Sequence, residues 1–183
     1  MRDVILYMSM SLDGFVGSDR EHPGIAIPEG AEVKQWKLDH ISKAGAHLMG
    51  RTSYQEMSSY WPQSDDEYAA PMNDIPKVVF SKTLSDAEAI WPVTRVARDD
   101  LATEIAAIKA EPGPDVIVWG GGRFAGALAA ADLIDEYRLL VQPLVLGTGR
   151  PCSTNCRTRH LNLVEALSFP SGIVVHVYRP QHT

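Results

Sequence analysis

Residues 115–125 read Asp-Val-Ile-Val-Trp-Gly-Gly-Gly-Arg-Phe-Ala, and the order of residue types in that stretch decides the fold. Asp115 to Trp119 is a continuous apolar strand of the kind that helices cover on both faces in a parallel sheet. Gly120, Gly121 and Gly122 follow at once, and the alanine-rich run from Arg123 to Ala131 predicts a helix. Glycines between a strand and a helix remove every Cβ, so backbone N–H groups can approach an anion at the helix end where the dipole favours it. The alternative is a tight turn that uses only glycine's backbone freedom. The spacing is not Gly-x-Gly-x-x-Gly, although Gly126 is near, and it falls late in the chain. A standard dinucleotide fingerprint at the first strand-to-helix turn is therefore excluded.

Two other segments share this design. Ala46–Gly50 reads as a short strand running into Arg51-Thr52-Ser53-Tyr54, where Thr52 or Ser53 is a candidate helix cap and Arg51 could pair bidentately with a phosphate. Residues 76–84, PKVVFSKTL, read as a further buried strand that ends in Ser81, Lys82 and Thr83. In a parallel sheet such ends gather along one edge, where these folds bind ligands. A glycine cradle with two basic-hydroxyl clusters suits a ligand carrying a pyrophosphate and an outlying monophosphate, which describes NADPH better than NADH.

Outside these segments, residues 4–10 (VILYMSM) predict a first buried strand stopped by Asp13-Gly14, with a long loop to about Pro28. Glu29 to Lys43 predicts an amphipathic helix ended by Gly45, and Asp99 to Ala110 a second one with Asp99 or Asp100 as its cap. Strands are expected near 134–146, 161–169 and 172–179, the last two joined by Pro170-Ser171-Gly172 as an antiparallel hairpin. The fold class is α/β: a mixed, mostly parallel sheet with helices on both faces. No repeat or linker divides the chain, so residues 1–183 are expected to form a single domain.

The composition sets limits. With 183 residues, 45% of them apolar, the chain can bury one substantial core, and a net charge of −6 gives no case for gripping nucleic acid or an anionic membrane. The N-terminal apolar run is too short for a secretory signal and no stretch could span a bilayer, so a cytoplasmic protein is expected. Cys152 and Cys156 would close only a small loop, and Cys-x3-Cys without a His-x-Glu does not make a zinc deaminase site, so no metal is expected. The six histidines are scattered, and no Ser-His-Asp or Cys-His arrangement stands out.

Taken in order, SLDGFVG (11–17), LMGRTSYQEM (48–57) followed by YWP (60–62), PKVVFSKTL, VWGGGRFAGALAAADLIDEYRLLVQPLVLGTGRP (118–151) and the closing strands resemble the bacterial dihydrofolate-reductase-like family. The branch is that of the C-terminal reductase domain of the riboflavin-biosynthesis bifunctional deaminase-reductase and its stand-alone relatives. The resemblance implies a three-layer fold and an NADPH-dependent reductase of a small pteridine- or pyrimidine-like heterocycle. Activity like that of a 5-amino-6-(5-phosphoribosylamino)uracil reductase comes first, and dihydrofolate reductase second. A nucleotide-binding protein without efficient catalysis is the alternative outside the enzyme class.

The resemblance also implies roles by position. Gly50, Arg51, Thr52, Ser81 and Lys82 would hold the adenosine side of NADPH with its 2′-phosphate. Gly120, Gly121, Gly122, Arg123, Phe124 and Ala125 would wrap the pyrophosphate, with a cis peptide inside the triple glycine, while Ser9 and Val16 would flank the nicotinamide. Asp13-Gly14 reads as a turn that fixes the first loop. Glu32 is the nearest candidate for the first-helix carboxylate that holds a pterin. Trp36 and Tyr54, with Tyr60 and Trp61, are candidates for an aromatic wall against a flat ring. Tyr7 and Phe15 stand where lysines are usual in this branch, which leaves the substrate open. Relatives often pair, so a homodimer is expected, with the surface near 125–136 and the apolar strand 139–146 as its seam.

Overall fold

In the computed structural model, residues 1–16, 28–120, 122–152 and 157–181 are described. Short apolar runs form the strands β1 (Val4–Ser11), β2 (Ala46–Gly50), β3 (Lys77–Phe80), β4 (Thr94–Ala97), β5 (Val116–Trp119), β6 (Glu136–Gln142), β7 (Leu161–Ser168) and β8 (Val174–Pro180). They make one sheet in the order β4-β3-β2-β5-β1-β6-β8-β7. The strands from β4 to β6 are all parallel, and β8 is antiparallel to both its neighbours. The helices are α1 (Gly30–Ile41), α2 (Arg51–Tyr60), α3 (Ala69–Asp74), α4 (Leu101–Ala110) and α5 (Gly122–Ala130).

Alternation along each strand divides the core in two. Val4, Leu6 and Met8 of β1 join Val116 and Val118 of β5 against Ile105 and Ile108 of α4 and Leu128 of α5. Tyr7, Met49, Val79 and Ile117 point the other way, onto Val33 and Ile41 of α1, Tyr54 of α2 and Met72 of α3. Each such fully buried side chain contributes roughly 1.5–3 kcal/mol. The result is the three-layer, dihydrofolate-reductase-like α/β fold, closed by the antiparallel pair β7 and β8. No helix among the described residues is long and apolar enough to cross a membrane.

The structure corrects several expected boundaries. The strand expected over 76–84 stops at Phe80, because Ser81 Oγ accepts the backbone N–H groups of Thr83 and Leu84 at 3.2 and 3.0 Å and turns the chain. α2 is capped by neither Thr52 nor Ser53: Gly50 takes the N-cap position, and no side chain caps the helix. Asp100 does cap α4, accepting from the N–H groups of Ala102 and Thr103 at 3.1 and 3.3 Å. β6 ends before Pro143 and is paired with β1 on one side and β8 on the other, so it is an internal strand and not an edge seam. β4, four residues at the sheet's edge, and α3, six residues containing Pro71, were too short to show a period.

Candidate functional site

The carboxyl ends of β1, β2, β3 and β5 open into a cleft of about 840 Å³. At one end of it two helices begin. Gly50 leads into α2 with an extended φ of −82° and ψ of 166°, leaving the first N–H groups without a side-chain cap. Arg51, Thr52 and Ser53 line the cleft there, as do Gly120, Arg123 and Phe124 at the start of α5. A Cβ on Gly50 would lie 3.2 Å from Phe124 Cβ, so the bare backbone lets β2 and α5 approach. Phe124 in turn packs on Phe80, with ring centroids 4.8 Å apart. A Cβ on Gly120 would meet nothing within 4 Å, so this glycine keeps a cradle open.

Arg150, which sequence reasoning missed, also lines the cleft. A Cβ on Gly122 would lie 2.5 Å from Arg150 Cδ, so the buried glycine provides the space for the arginine stem to cross the start of α5. The loop it belongs to reads Gly-Thr-Gly-Arg-Pro, and nothing short of this contact ties that loop to the triple glycine. The Arg150 carbonyl accepts the Val16 N–H at 2.7 Å. Among the described residues Arg51, Arg123 and Arg150 form no ion pair; Arg51 Nη1 donates to Thr83 Oγ1 at 2.7 Å. In a chain of net charge −6 this is a local excess of cations.

The structure brings together Ser9, Val16, Gly50, Arg51, Thr52, Gly120, Arg123 and Phe124 around the one cleft. Ser81 and Lys82 lie at its margin, linked to it through Thr83 and Arg51, and the Ser81 hydroxyl is engaged in its own turn. Ala125 is buried in the core under α5 instead of facing the cleft. Gly121, and with it the peptide bonds expected to hold a cis bond, lies outside the described residues, as does Cys156. Asp13 serves as the expected turn anchor. Its carboxylate accepts from the N–H groups of Leu146 and Gly147 at 3.1 and 2.7 Å, and the Ser11 hydroxyl first, with these two N–H groups after it, holds its pKa down at about 2.

The other end of the cleft is aromatic. Tyr7, Trp61, Tyr68 and Trp119 line it with Lys37 and Ile41 of α1. Tyr7 lies 5.3 Å from Trp119, centroid to centroid, and its hydroxyl is buried without a hydrogen-bond partner among the described residues. Burial, and next the nearby Glu29 carboxylate, push its pKa far up. Tyr68 Oη donates to Glu29 Oε1 at 2.7 Å, and Lys37 Nζ pairs with Oε2 of the same carboxylate. His47 Nδ1 accepts the Trp119 Nε1–H at 2.9 Å, and His47 Nε2 donates to the Pro71 carbonyl at 3.1 Å. An indole N–H only donates and a carbonyl only accepts, which fixes the tautomer. Burial pushes the His47 pKa down to about 4, so the ring is neutral.

Of the residues expected in this wall, Trp36, Tyr54 and the exposed Tyr60 do not line the cleft, and neither does Glu32, the carboxylate expected on the first helix. Tyr54 points into the core at 1% exposure, and its Oη accepts the Trp91 N–H at 3.0 Å. Trp36 packs on Tyr7 and on His40, at 5.9 and 4.1 Å between centroids, without lining the cleft. Glu32 is exposed, because Val33 takes the buried position and the helical period turns its neighbour to solvent. Two carboxylates belong to the cleft instead: Glu56 of α2 lines it, and Glu29, just before α1 begins, holds its side chains Tyr68 and Lys37.

A family model for the RibD C-terminal domain matches residues 2–175. The chain belongs to the RibD C-terminal domain family. It is 29% identical over 185 residues to the uncharacterized protein YyaP of Bacillus subtilis (strain 168), covering 97% of this chain and 94% of the relative. A putative riboflavin biosynthesis protein from Shewanella sp. PV-4 shares the fold over the full length of both chains, with a TM-score of 0.78 at 19% identity. The Thermotoga maritima diaminohydroxyphosphoribosylaminopyrimidine deaminase/5-amino-6-(5-phosphoribosylamino)uracil reductase shares it with a TM-score of 0.70 at 14% identity, over 98% of this chain and 57% of that one. The glycine turn at Gly120 to Gly122 and the cleft above it thus belong to a RibD C-terminal domain.

Proposed function

We propose that this chain is an oxidoreductase that uses NADPH to reduce a small pteridine- or pyrimidine-like heterocycle. The observation that carries the reading is the set of three arginines, without ion-pair partners among the described residues, around one cleft, beside the start of α2 that no described side chain caps and the open cradle at Gly120. Such a constellation recruits phosphate, since guanidinium groups and helix starts both favour it. Gly120, Arg123, Phe124 and Arg150 would hold the pyrophosphate, and Gly50, Arg51 and Thr52 the 2′-phosphate side with Lys82 at the margin. Ser9 and Val16 would border the nicotinamide. When bound, NADPH supplies the hydride. The chain's own aromatic end excludes water and orients the acceptor ring. The activity of the Thermotoga maritima relative makes 5-amino-6-(5-phosphoribosylamino)uracil the first substrate to test, with dihydrofolate second.

Calorimetric titration tests the cofactor. NADPH is expected to bind at about micromolar Kd, about tenfold tighter than NADH, and to weaken on Arg51→Ala plus Lys82→Ala. No binding of either nucleotide would overturn the reading. Binding without oxidation of NADPH by any pterin or aminopyrimidine would leave a nucleotide-binding protein. The homodimer is also proposed, with its contact moved from β6 to the open edge of β7, where Leu163 and Val164 are each 57% exposed. Light scattering reads that state directly.

A further inference from the structure

The turn after β1 and the loop after β6 are laced together beside the cleft. The Leu12 N–H donates to the Leu144 carbonyl at 2.8 Å; further on, the Val16 N–H donates to the Arg150 carbonyl at 2.7 Å and the Cys152 N–H to the Gly14 carbonyl at 2.8 Å. Phe15 and Pro151 face each other there in an antiparallel bridge. Between these two ends, from Val145 to Gly149, no backbone hydrogen bond holds the loop among the described residues. Gly147 and Gly149 take φ of 73° and 142°, so this stretch has glycine's backbone freedom. Asp13 holds it: its two carboxylate oxygens accept the Leu146 and Gly147 N–H groups at 3.1 and 2.7 Å. The stretch leads straight into Arg150, whose stem crosses the bare Gly122 and which lines the cleft.

We propose that Asp13 is a positioning residue for the cofactor: by clasping residues 144–152 onto the turn after β1, it fixes Arg150 over the start of α5 before a ligand arrives. Asp13 does not itself line the cleft, so it acts through Arg150. The same clasp includes Val16, so the residues assigned to the pyrophosphate and to the nicotinamide move as one unit. The proposal rests on the NADPH reading for what Arg150 meets. A guanidinium on a loosely held loop must be ordered when phosphate binds, and that ordering lowers the affinity; a loop already pinned avoids the loss. Two neighbouring N–H groups call for an acceptor with two oxygens, and bonds to a charged acceptor are the stronger kind. Asparagine offers only one such oxygen.

Two measurements test it, the first without nucleotide. In the free chain, hydrogen exchange at the Val16 and Cys152 amides, neither of which bonds to Asp13, should quicken about tenfold in Asp13→Ala while the amides of β6 keep their rates. Calorimetry should show NADPH binding about tenfold weaker in Asp13→Ala and less affected in Asp13→Asn, with the loss disappearing in an Arg150→Ala background. Unchanged exchange at Val16 and Cys152, or a rise that extends to β6, would overturn the proposal. So would an NADPH affinity that Asp13→Ala leaves unchanged or lowers equally in both backgrounds, because a general role in the fold does not depend on Arg150. If the native chain bound no NADPH while Val16 and Cys152 responded as expected, the cofactor reading would fall and the clasp would stand.

Discussion

The two ends of the cleft are built from the same strand edge but treat charge in opposite ways. Where α2 and α5 begin, Arg51, Arg123 and Arg150 form no ion pair among the described residues and stand beside backbone N–H groups. At the aromatic end the one lysine lining the cleft is matched by Glu29, and the tyrosine and indole around it sit on closed hydrogen bonds. The first end carries cations that no described carboxylate pairs; the second is nearly complete by itself. Unneutralised cations repel one another, so the proposed anionic ligand would account for their placement, whereas paired groups explain themselves. The two ends should therefore respond independently to mutation.

The largest expected effect tests that independence. Arg51→Ala combined with Arg150→Ala removes two charge-assisted contacts, each worth about 1.5–3 kcal/mol, so NADPH affinity should fall by roughly a thousandfold. The affinity for a pteridine such as lumazine, titrated without nucleotide, should not move. A parallel loss of both ligands would mean that the ends are one site and would break the comparison. The same titrations at rising salt sharpen it, because only the nucleotide should weaken.

How much of this contrast the sequence could show differs between the ends. The cation-rich end is local in the chain: a strand, small or basic residues, then a helix, repeated at Gly50-Arg51-Thr52 and Gly120 to Phe124. Such patterns survive without three-dimensional knowledge. Arg150 escaped because its place depends on the missing Cβ of Gly122, a contact across almost thirty residues. The aromatic end is assembled from β1, α1, β5 and the Tyr60–Tyr68 segment, and no spacing links them. Tyr54 was misplaced for a related reason: one step of helical rotation separates Ser53, which lines the cleft, from Tyr54, which is core. The sheet's parallel strands and its closing hairpin were legible because period and turn residues are local; β4 and α3 were too short to carry a period.

A second prediction concerns only the aromatic end. His47 holds the Trp119 indole and is neutral, with its pKa lowered from 6.5 to about 4 by burial. The unfolded chain therefore takes up this proton before the folded one does. The stability His47 contributes is full above about pH 6.5 and is lost as pH falls toward 4, by on the order of 3 kcal/mol. Urea unfolding at stepped pH, in the native chain and in His47→Gln, isolates this group from the carboxylates that titrate nearby. The native chain should lose more stability on acidification than the variant does; equal slopes would show that His47 does not carry the wall. NADPH affinity should follow neither curve.

The smallest effect is the most diagnostic, because two consequences of one methyl group should run in opposite directions. Gly122 is helical and is not in the left-handed region, so Gly122→Ala should raise helix stability by up to about 1 kcal/mol. The new Cβ would sit 2.5 Å from Arg150 Cδ, the middle of a flexible stem that can move aside. Folding therefore tolerates the change while the guanidinium loses its position over the start of α5. NADPH should weaken about fivefold, near 1 kcal/mol, with the melting temperature unchanged or raised. In an Arg150→Ala background the same methyl has no stem to displace, so its effect on NADPH should vanish and the two substitutions should fail to add. If Gly122→Ala weakens NADPH equally in both backgrounds, the glycine acts by letting the backbone itself approach the phosphate, and Arg150 is a bystander at its own end of the cleft.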